Sequence, residues 1–256
     1  MTEHYAFFLG GHDLEMVTIA ALLRRLQREG DARIADVQDA GLSWGAKASD
    51  YGDRIQLAAN AGLRPVLIEL VADVPLPPGT VEVDHHGARS AEPSALRQLF
   101  DLLALPPDRW SRVLDLVAAN DVGHIAGLRR MGATDDEILR IRADDRAAQG
   151  ITPEEEAVGR AALGARIEAL EGSLLVVGLP HARTATVADP LAMAGDMRDL
   201  LILTPNSTQF FGAGDRIARL DTAFPGGWRG GELPRRGFWG IARRTESPEV
   251  ISVLKG

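Results

Sequence analysis

Residues 81–87 have the sequence VEVDHHG, a β-branched, strand-like run that ends in one aspartate and two histidines. In α/β folds, sites form at the carboxyl ends of strands. Neighbouring side chains of a strand point to opposite faces, so Asp84, His85 and His86 can share one site only where the strand has ended. Gly87 allows the turn at that point. The stretch therefore predicts a site at a strand end, with solvated loop histidines as the alternative.

The flanking segments alternate between strand-like and helix-like patterns. Strands are predicted at 5–9, 65–71 and 80–84, and helices at 12–29 and 50–61. This alternation is typical of an α/β fold with a parallel sheet flanked by helices. A helical block follows at 91–103, 108–119 and 134–147, and a capping box at Thr134 and Glu137 opens its last helix.

A second, smaller α+β domain is predicted after a connector helix. Thr152, Pro153 and Glu155 supply the N-cap, first-turn proline and third-position acid of a helix that runs to about Glu171. After Gly172, short β-rich pieces are separated by glycine and proline, at 174–179, 184–188, 200–204, 238–243 and 250–254. The predicted domains are 1–150 and 173–256, joined by the connector 151–172.

Composition limits the chemistry. The chain has no cysteine, which excludes disulfides and thiolate sites and leaves His, Asp, Glu and water to hold any metal, a set that suits Mn²⁺, Mg²⁺ or Zn²⁺. A formal charge of −8 argues against long nucleic acid as a partner. The sequence has no apolar run of about 18 residues and no basic signal-peptide region, so we expect a cytoplasmic protein without a membrane partner.

Further acids lie where other elements are predicted to end. Asp13 and Glu15 follow the first strand within GGHDLE, residues 10–15, where they can converge on a metal or can cap the helix and complement its dipole. Glu69 lies in an apolar strand, where a cation is a fitting partner and a solvated outer face is the alternative. Asp121 lies near a predicted helix end, either as a ligand or within a C-cap turn.

Together these motifs resemble the DHH phosphoesterase superfamily. Its members include single-strand exonucleases, oligoribonucleotide phosphatases, cyclic-dinucleotide phosphodiesterases, exopolyphosphatases and inorganic pyrophosphatases. Members that act on nucleotides carry a Gly-Gly-Gly-His segment in the C-terminal domain, and this chain has GGELPRRGF at residues 230–238. The resemblance implies a catalytic DHH-like domain followed by a substrate-binding, DHHA1-like domain.

The resemblance also implies roles for individual residues in a binuclear site that usually holds Mn²⁺. The implied ligands are Asp13, Glu15, Glu69, His85 and Asp121. His12 is a further candidate ligand, because Leu9 stands where the family has a histidine. Asp84 would orient His85, and His86 would face the phosphoryl oxygens and stabilise transition-state charge. The implied chemistry is two-metal hydrolysis by an activated water.

The chain departs from the family at several positions. Glutamate replaces the usual aspartate at Glu15 and Glu69, and Asp73 is an alternative to Glu69. The C-terminal motif lacks its histidine and gains two arginines. We predict substrate-binding roles for Gly230, Gly231, Arg235, Arg236 and Arg89. Arginine can bind phosphate through two hydrogen bonds, although a hairpin with core tryptophans and solvated arginines is the alternative.

The expected function is metal-dependent hydrolysis of a phosphodiester or phosphoanhydride, with a small nucleotide-like or phosphorylated substrate bound in a cleft between the two domains. One alternative is a catalytically degenerate protein of the same fold that binds a ligand or serves in assembly. Another is a zinc amide hydrolase, because Gly-His-Asp-Leu-Glu loosely resembles such a metal motif. The sequence leaves a homodimer open as an oligomeric state.

Overall fold

The computed structural model describes residues 3–256, so Met1 and Thr2 lie outside the described residues. The chain divides into two compact units, Met1–Gly150 and Ile151–Gly256. Within the described part of the chain, none of the helices combines the length and hydrophobicity that a membrane-spanning segment requires.

The first unit contains a four-stranded parallel sheet. Its strands are β1 (Tyr5–Leu9), β2 (Ile34–Gln38), β3 (Arg64–Ile68) and β4 (Val81–Val83), in the order β2-β1-β3-β4. Every residue of β1 is buried, as expected for a central strand of a parallel sheet covered on both faces. The predicted α/β class with a parallel sheet is confirmed.

Among the described residues of this unit there are five α-helices: α1 (Leu14–Arg28), α2 (Arg54–Asn60), α3 (Ala95–Leu102), α4 (Arg112–Arg130) and α5 (Asp135–Ala148). Helix α1 begins where Asp13 accepts a hydrogen bond from the backbone N–H of Met16, and α5 begins at the predicted Thr134 capping box. Helix α4 is broken at His124, whose φ of 51° and ψ of −149° are not helical. With its end at Arg130, α4 runs well beyond the predicted end at residue 119.

The second unit contains a mixed six-stranded sheet. The strands are β5 (Ile167–Ala169), β6 (Leu174–Gly178), β7 (Asp199–Leu203), β8 (Thr208–Ala213), β9 (Trp228–Glu232) and β10 (Arg236–Ile241), in the order β5-β6-β7-β8-β10-β9. Its helices are α6 (Pro153–Gly164), α7 (Ala185–Met193), α8 (Gly214–Ala223) and α9 (Ser247–Lys255). Only the β6–β7 pair is parallel among these neighbours. The smaller α+β arrangement is as expected.

Several predicted elements are wrong. Segments 184–188 and 250–254 lie in helices α7 and α9, because short apolar runs do not distinguish a buried helix from a strand. The predicted connector helix ends at Gly164 rather than near Glu171, since glycine disfavours helix continuation and Ile167 then pairs with β6 as an edge strand. Strand β2 was not predicted, because its central Asp36 is of a residue type depleted in strands.

Candidate metal centre

The carboxyl ends of three parallel strands meet at one edge of the first sheet. Leu9, Ile68 and Val83 are paired neighbours at the ends of β1, β3 and β4. Glu69 follows β3 directly, and His85 lies two residues after β4. The register therefore places the turns that carry predicted site residues side by side.

The backbone after β3 has an unusual conformation. Glu69 has a φ of 52°, in the left-handed region that non-glycine residues rarely adopt. Its backbone N–H donates to the carbonyl of Val83 at 2.9 Å. At Gly10, a Cβ would lie 2.3 Å from the Glu69 carbonyl oxygen, so only glycine allows this approach. Strand β3 therefore ends at Ile68, before the predicted end at residue 71.

Four side chains converge at this edge. Donor atoms of Glu15, Glu69, His85 and Asp121 all lie within 4.8 Å of one another, and we call these four residues the acid–histidine cluster. His85 Nε2 lies 2.5 Å from Asp121 Oδ2 and 3.3 Å from Glu69 Oε1. Glu15 is 2% exposed and His85 is 7% exposed. The structure thus brings together four of the six predicted ligands.

The donor atoms of the cluster fit a divalent cation. Glu15 Oε2, Glu69 Oε1, His85 Nε2 and Asp121 Oδ2 are buried, and within residues 3–256 none of them makes a well-directed hydrogen bond, although His85 Nε2 lies close to both Asp121 Oδ2 and Glu69 Oε1. Buried polar atoms are normally satisfied, because an unpaired one loses its hydration without compensation. Carboxylate oxygens and imidazole nitrogen are ligands for Mn²⁺, Mg²⁺ and Zn²⁺. A cation would satisfy all four atoms at once.

The proton affinities in the cluster reflect its burial. Burial raises the pKa of Glu15 well above its ordinary value, and the carboxylates of Asp121 and Glu69 add to this rise. Burial lowers the pKa of His85, but the same two carboxylates outweigh it and raise this pKa to about 11. Without a cation, His85 is therefore protonated at neutral pH, and a cation bound at its Nε2 would have to displace that proton.

The other two predicted ligands have different surroundings. Asp13 accepts the Met16 N–H at 2.8 Å as the N-cap of α1. Burial, with smaller contributions from the charges of Glu69 and Asp121, raises its pKa to about 7 against the effect of that hydrogen bond. His12 is exposed, and its Nδ1 lies 3.0 Å from the carbonyl of Ala148 at the end of α5.

The two remaining residues of the Asp-His-His stretch contact each other. Asp84 Oδ1 accepts a hydrogen bond from the backbone N–H of His86 and also lies 2.9 Å from the Nδ1 of that residue. The structure therefore places Asp84 against His86, whereas the resemblance implied that it orients His85. Glu69, His85 and His86 form a second set of donors within 4.8 Å, which overlaps the cluster in two residues.

The arginines predicted to bind substrate make hydrogen bonds or ion pairs within the chain. Arg89 donates to the carbonyl of Glu82 at 3.1 Å. In the second unit, Arg236 donates to Asp199 at 3.2 Å and to the Arg198 carbonyl at 2.9 Å. Arg235 is paired with Glu232, and its side chain is 77% exposed.

The glycines of the C-terminal motif have a packing role. Gly230 and Gly231 belong to β9, opposite Phe238 and Gly237 of β10. A Cβ at Gly230 would lie 2.5 Å from the Phe238 ring, and Trp239 is fully buried in the core of this unit. The hairpin alternative thus fits in part, because Trp239 is in the core and Arg235 is exposed, whereas Arg236 is ion-paired with Asp199.

Asp73 is not part of the cluster. It is exposed and accepts hydrogen bonds from the backbone N–H and hydroxyl of Ser49, at 3.0 and 2.6 Å. Glu69, rather than Asp73, is thus the acid that this region contributes.

Sequence reasoning missed a buried polar network beside the cluster, formed by Asn120, Arg142 and Asp145. A signal for it was present. The buried residues of α5 are Ile138, Ile141, Arg142 and Asp145, which have the i, i+3, i+4, i+7 spacing of a helix face that packs on a core. Charged residues at such positions require buried partners.

Comparison with solved structures finds proteins of the same fold. The chain is similar to RecJ in complex with Mn²⁺ from Thermus thermophilus, at 16% identity and a TM-score of 0.51, over 99% of this chain and 52% of that one. RecJ from the same organism in complex with Mg²⁺ matches at 17% identity and a TM-score of 0.50, over 99% and 49%. The DHH domain of a member of a ribosomal protein family matches at 12% identity and a TM-score of 0.53, over 99% and 86%.

These matches establish the fold alone, because the identities are low. The chain spans about half the length of the RecJ chains that it matches. No protein-family model matches the sequence, and no curated protein matches it.

Proposed function

We propose that this chain, which has the fold of the DHH phosphoesterases, is a metal-dependent phosphoesterase. Its substrate would be a phosphodiester or phosphoanhydride of a small nucleotide-like or phosphorylated molecule. The observation that carries the proposal is the convergence of four buried ligand atoms, from Glu15, Glu69, His85 and Asp121, at the carboxyl edge of a parallel sheet. Sites in such folds form at this edge.

The acid–histidine cluster would hold the cation through Glu15, Glu69, His85 and Asp121. A second ion would be held by the donor set of Glu69, His85 and His86, and of the shared residues Glu69 could contribute to both sites because its carboxylate has two oxygens. Two structures of similar fold in complex with Mn²⁺ and Mg²⁺ support these ions as cofactors, and the three carboxylates of the cluster suit both ions. When bound, such ions lower the pKa of a water molecule and offset charge on phosphoryl oxygens.

His86 would act on the substrate. Asp84 engages its Nδ1, so Nε2 is the ring nitrogen that can face a phosphoryl oxygen. In the imidazolium form both ring nitrogens carry a proton. His86 would then donate a charge-assisted hydrogen bond to an oxygen that gains negative charge in the transition state, while Asp84 holds the ring in place.

The test combines metal content with hydrolysis. Purified protein loaded with Mn²⁺ would be assayed for bound metal by mass spectrometry and for turnover of bis-(p-nitrophenyl) phosphate and of pyrophosphate. We expect His85→Ala to lose bound Mn²⁺ and turnover together, and His4→Ala, an exposed histidine near Ala32, to lose neither. Full turnover by the His85→Ala protein would contradict the proposal.

A second candidate is a catalytically degenerate protein of the same fold that binds a ligand or serves in assembly. The observation that favours it is Leu9, a fully buried apolar residue where the resembled family has a histidine. This candidate predicts weak or no Mn²⁺ binding and no release of nitrophenol or phosphate. Release of acetate from an N-acetyl sugar, assayed in parallel with Zn²⁺, would instead favour the amide hydrolase alternative.

A further inference from the structure

We infer that Asn120, Arg142 and Asp145 form a positioning network that holds the segments carrying Asp121 and Glu15 in the geometry that cation binding requires. None of these three residues is itself a candidate ligand. The inference deepens the proposed function and rests on it, because it concerns the same metal centre.

The network connects one helix to two ligand-bearing segments. Arg142 Nη1, in α5, donates to Asn120 Oδ1 at 2.9 Å and to Asp145 Oδ2 at 2.7 Å. The other carboxylate oxygen of Asp145 accepts the backbone N–H of Leu14 at 3.2 Å. Asn120 directly precedes Asp121, and Leu14 directly precedes Glu15. One buried ion pair thus fixes the residue before each of two candidate ligands.

The ligand segments need such support. Asp121 lies three residues before the break of α4 at His124, where the helical hydrogen-bond ladder is interrupted. Glu15 lies in the first turn of α1, where backbone N–H groups lack partners within the helix. In both places the helix alone does not determine the direction of the side chain as firmly as in a helix interior. A fixed external hydrogen bond supplies the missing constraint.

Burial of the pair is difficult to explain by stability alone. Arg142 is 2% exposed and Asp145 is 5% exposed. The cost of dehydrating both charges offsets most of their attraction, so well-packed apolar residues are often equally stabilising. What apolar residues cannot supply is a set of directional hydrogen bonds to Asn120 and to the Leu14 backbone. The burial of Arg142 and Asp145 is therefore better explained by their orienting the ligand segments than by their stabilising the fold.

The test measures Mn²⁺ affinity of the full chain directly, by the electron paramagnetic resonance signal of free Mn²⁺. Removal of a group that orients metal ligands typically weakens metal binding about 10–100-fold, and we expect this range for Arg142→Met. Arg142→Lys keeps the charge and donors, so it should restore part of the affinity. The control is Arg112→Met, which breaks an ion pair with Glu137 between α4 and α5 at the surface and should leave the affinity unchanged.

Asn120→Ala provides a milder variant should Arg142→Met fail to fold, because it removes one acceptor and leaves the ion pair. We expect it to weaken Mn²⁺ binding by about tenfold. Wild-type affinity in the folded Asn120→Ala protein, or in Arg142→Met where it folds, would overturn the inference, since a merely structural network would lower the melting temperature without changing the dissociation constant.

Failure of the inference and failure of the proposed function give different results. Absence of Mn²⁺ binding by the wild-type protein would overturn both. Tight Mn²⁺ binding that the network variants weaken, without phosphoester hydrolysis, would support the inference and overturn only the proposed enzyme.

Discussion

Glu69 shows how a single residue combines strain with a potential role. A left-handed backbone at a residue with a side chain costs about 1–3 kcal/mol, and such strain clusters at functional sites. Here it directs the Glu69 carboxylate toward His85 rather than into the apolar face that β3 would otherwise continue. The strained conformation is thus linked to the one acid that belongs to both candidate donor sets.

We predict that Glu69→Gln abolishes stabilisation by Mn²⁺. For wild-type protein, a free Mn²⁺ concentration of 100 times the dissociation constant should raise the free energy of unfolding by about 2.7 kcal/mol. The amide is a weaker ligand for hard cations, so the variant should show little or no rise in melting temperature when Mn²⁺ replaces EDTA. Glu82→Gln, which changes an exposed glutamate on β4, is the control. If Mn²⁺ raised the melting temperature of the two variants equally, Glu69 would not be a ligand of the ion.

For single residues, the sequence predicted where a side chain lies in the fold better than which side chain it contacts. A charged residue in an apolar strand identified Glu69, and a strand-end motif identified His85. The contact of Asp84 with His86 depends on the backbone after β4, which no periodicity specifies. Arg142 was missed because a charged residue on a helix is usually solvated, and only the spacing of Ile138 and Ile141 shows that it shares their buried face.

At the scale of elements, the start of α5 is tied to α4. Glu137 Oε2 accepts the Thr134 N–H at 2.8 Å, and Arg112 donates to both carboxylate oxygens of Glu137 at 3.0 Å. This junction lies at the surface, whereas the network around Arg142 is buried.

The contact of Arg112 with Glu137 predicts that the stability of the fold depends on pH. Arg112, followed by the Thr134 N–H, holds the pKa of Glu137 at about 2, below its ordinary value. A depressed acid pKa stabilises the fold above the ordinary value of about 4.3, and this contribution is lost as pH falls from there toward 2. Urea unfolding should show a wild-type advantage over Glu137→Gln at pH 6 that shrinks between about pH 4.5 and 2. A pH-independent difference would contradict this assignment.

Elements with strong periodicity or clear caps were predictable, and short ones were not. The Thr134 and Thr152 capping boxes both begin helices as expected. The strand predicted at 250–254 is helix α9, in which the buried Val250 and Leu254 are four residues apart and Pro248 lies in the first turn. So short a segment fits both the helical and the strand periodicity, so only packing in the core of the second unit decides between a helix and a strand.

For the whole molecule, all four residues of the cluster belong to the unit Met1–Gly150. We therefore predict that Mn²⁺ protects backbone amides locally. Hydrogen–deuterium exchange of the full chain should slow in peptides covering 13–17, 67–72, 83–87 and 117–122. Peptides from β6, β7 and β10 should exchange at the same rate with Mn²⁺ and with EDTA. Equal protection throughout residues 151–256 would show that the ion acts on the entire chain and would contradict a site built from the first unit alone.

The division of the chain at Gly150 has an evolutionary consequence. Every donor lies between Glu15 and Asp121, upstream of the point where the second unit begins. A recombination event near codon 150 could exchange the whole second unit and leave the unit that carries the candidate ligands intact. New specificities could then arise by shuffling of gene segments, without a period in which the metal ligands had to be rebuilt.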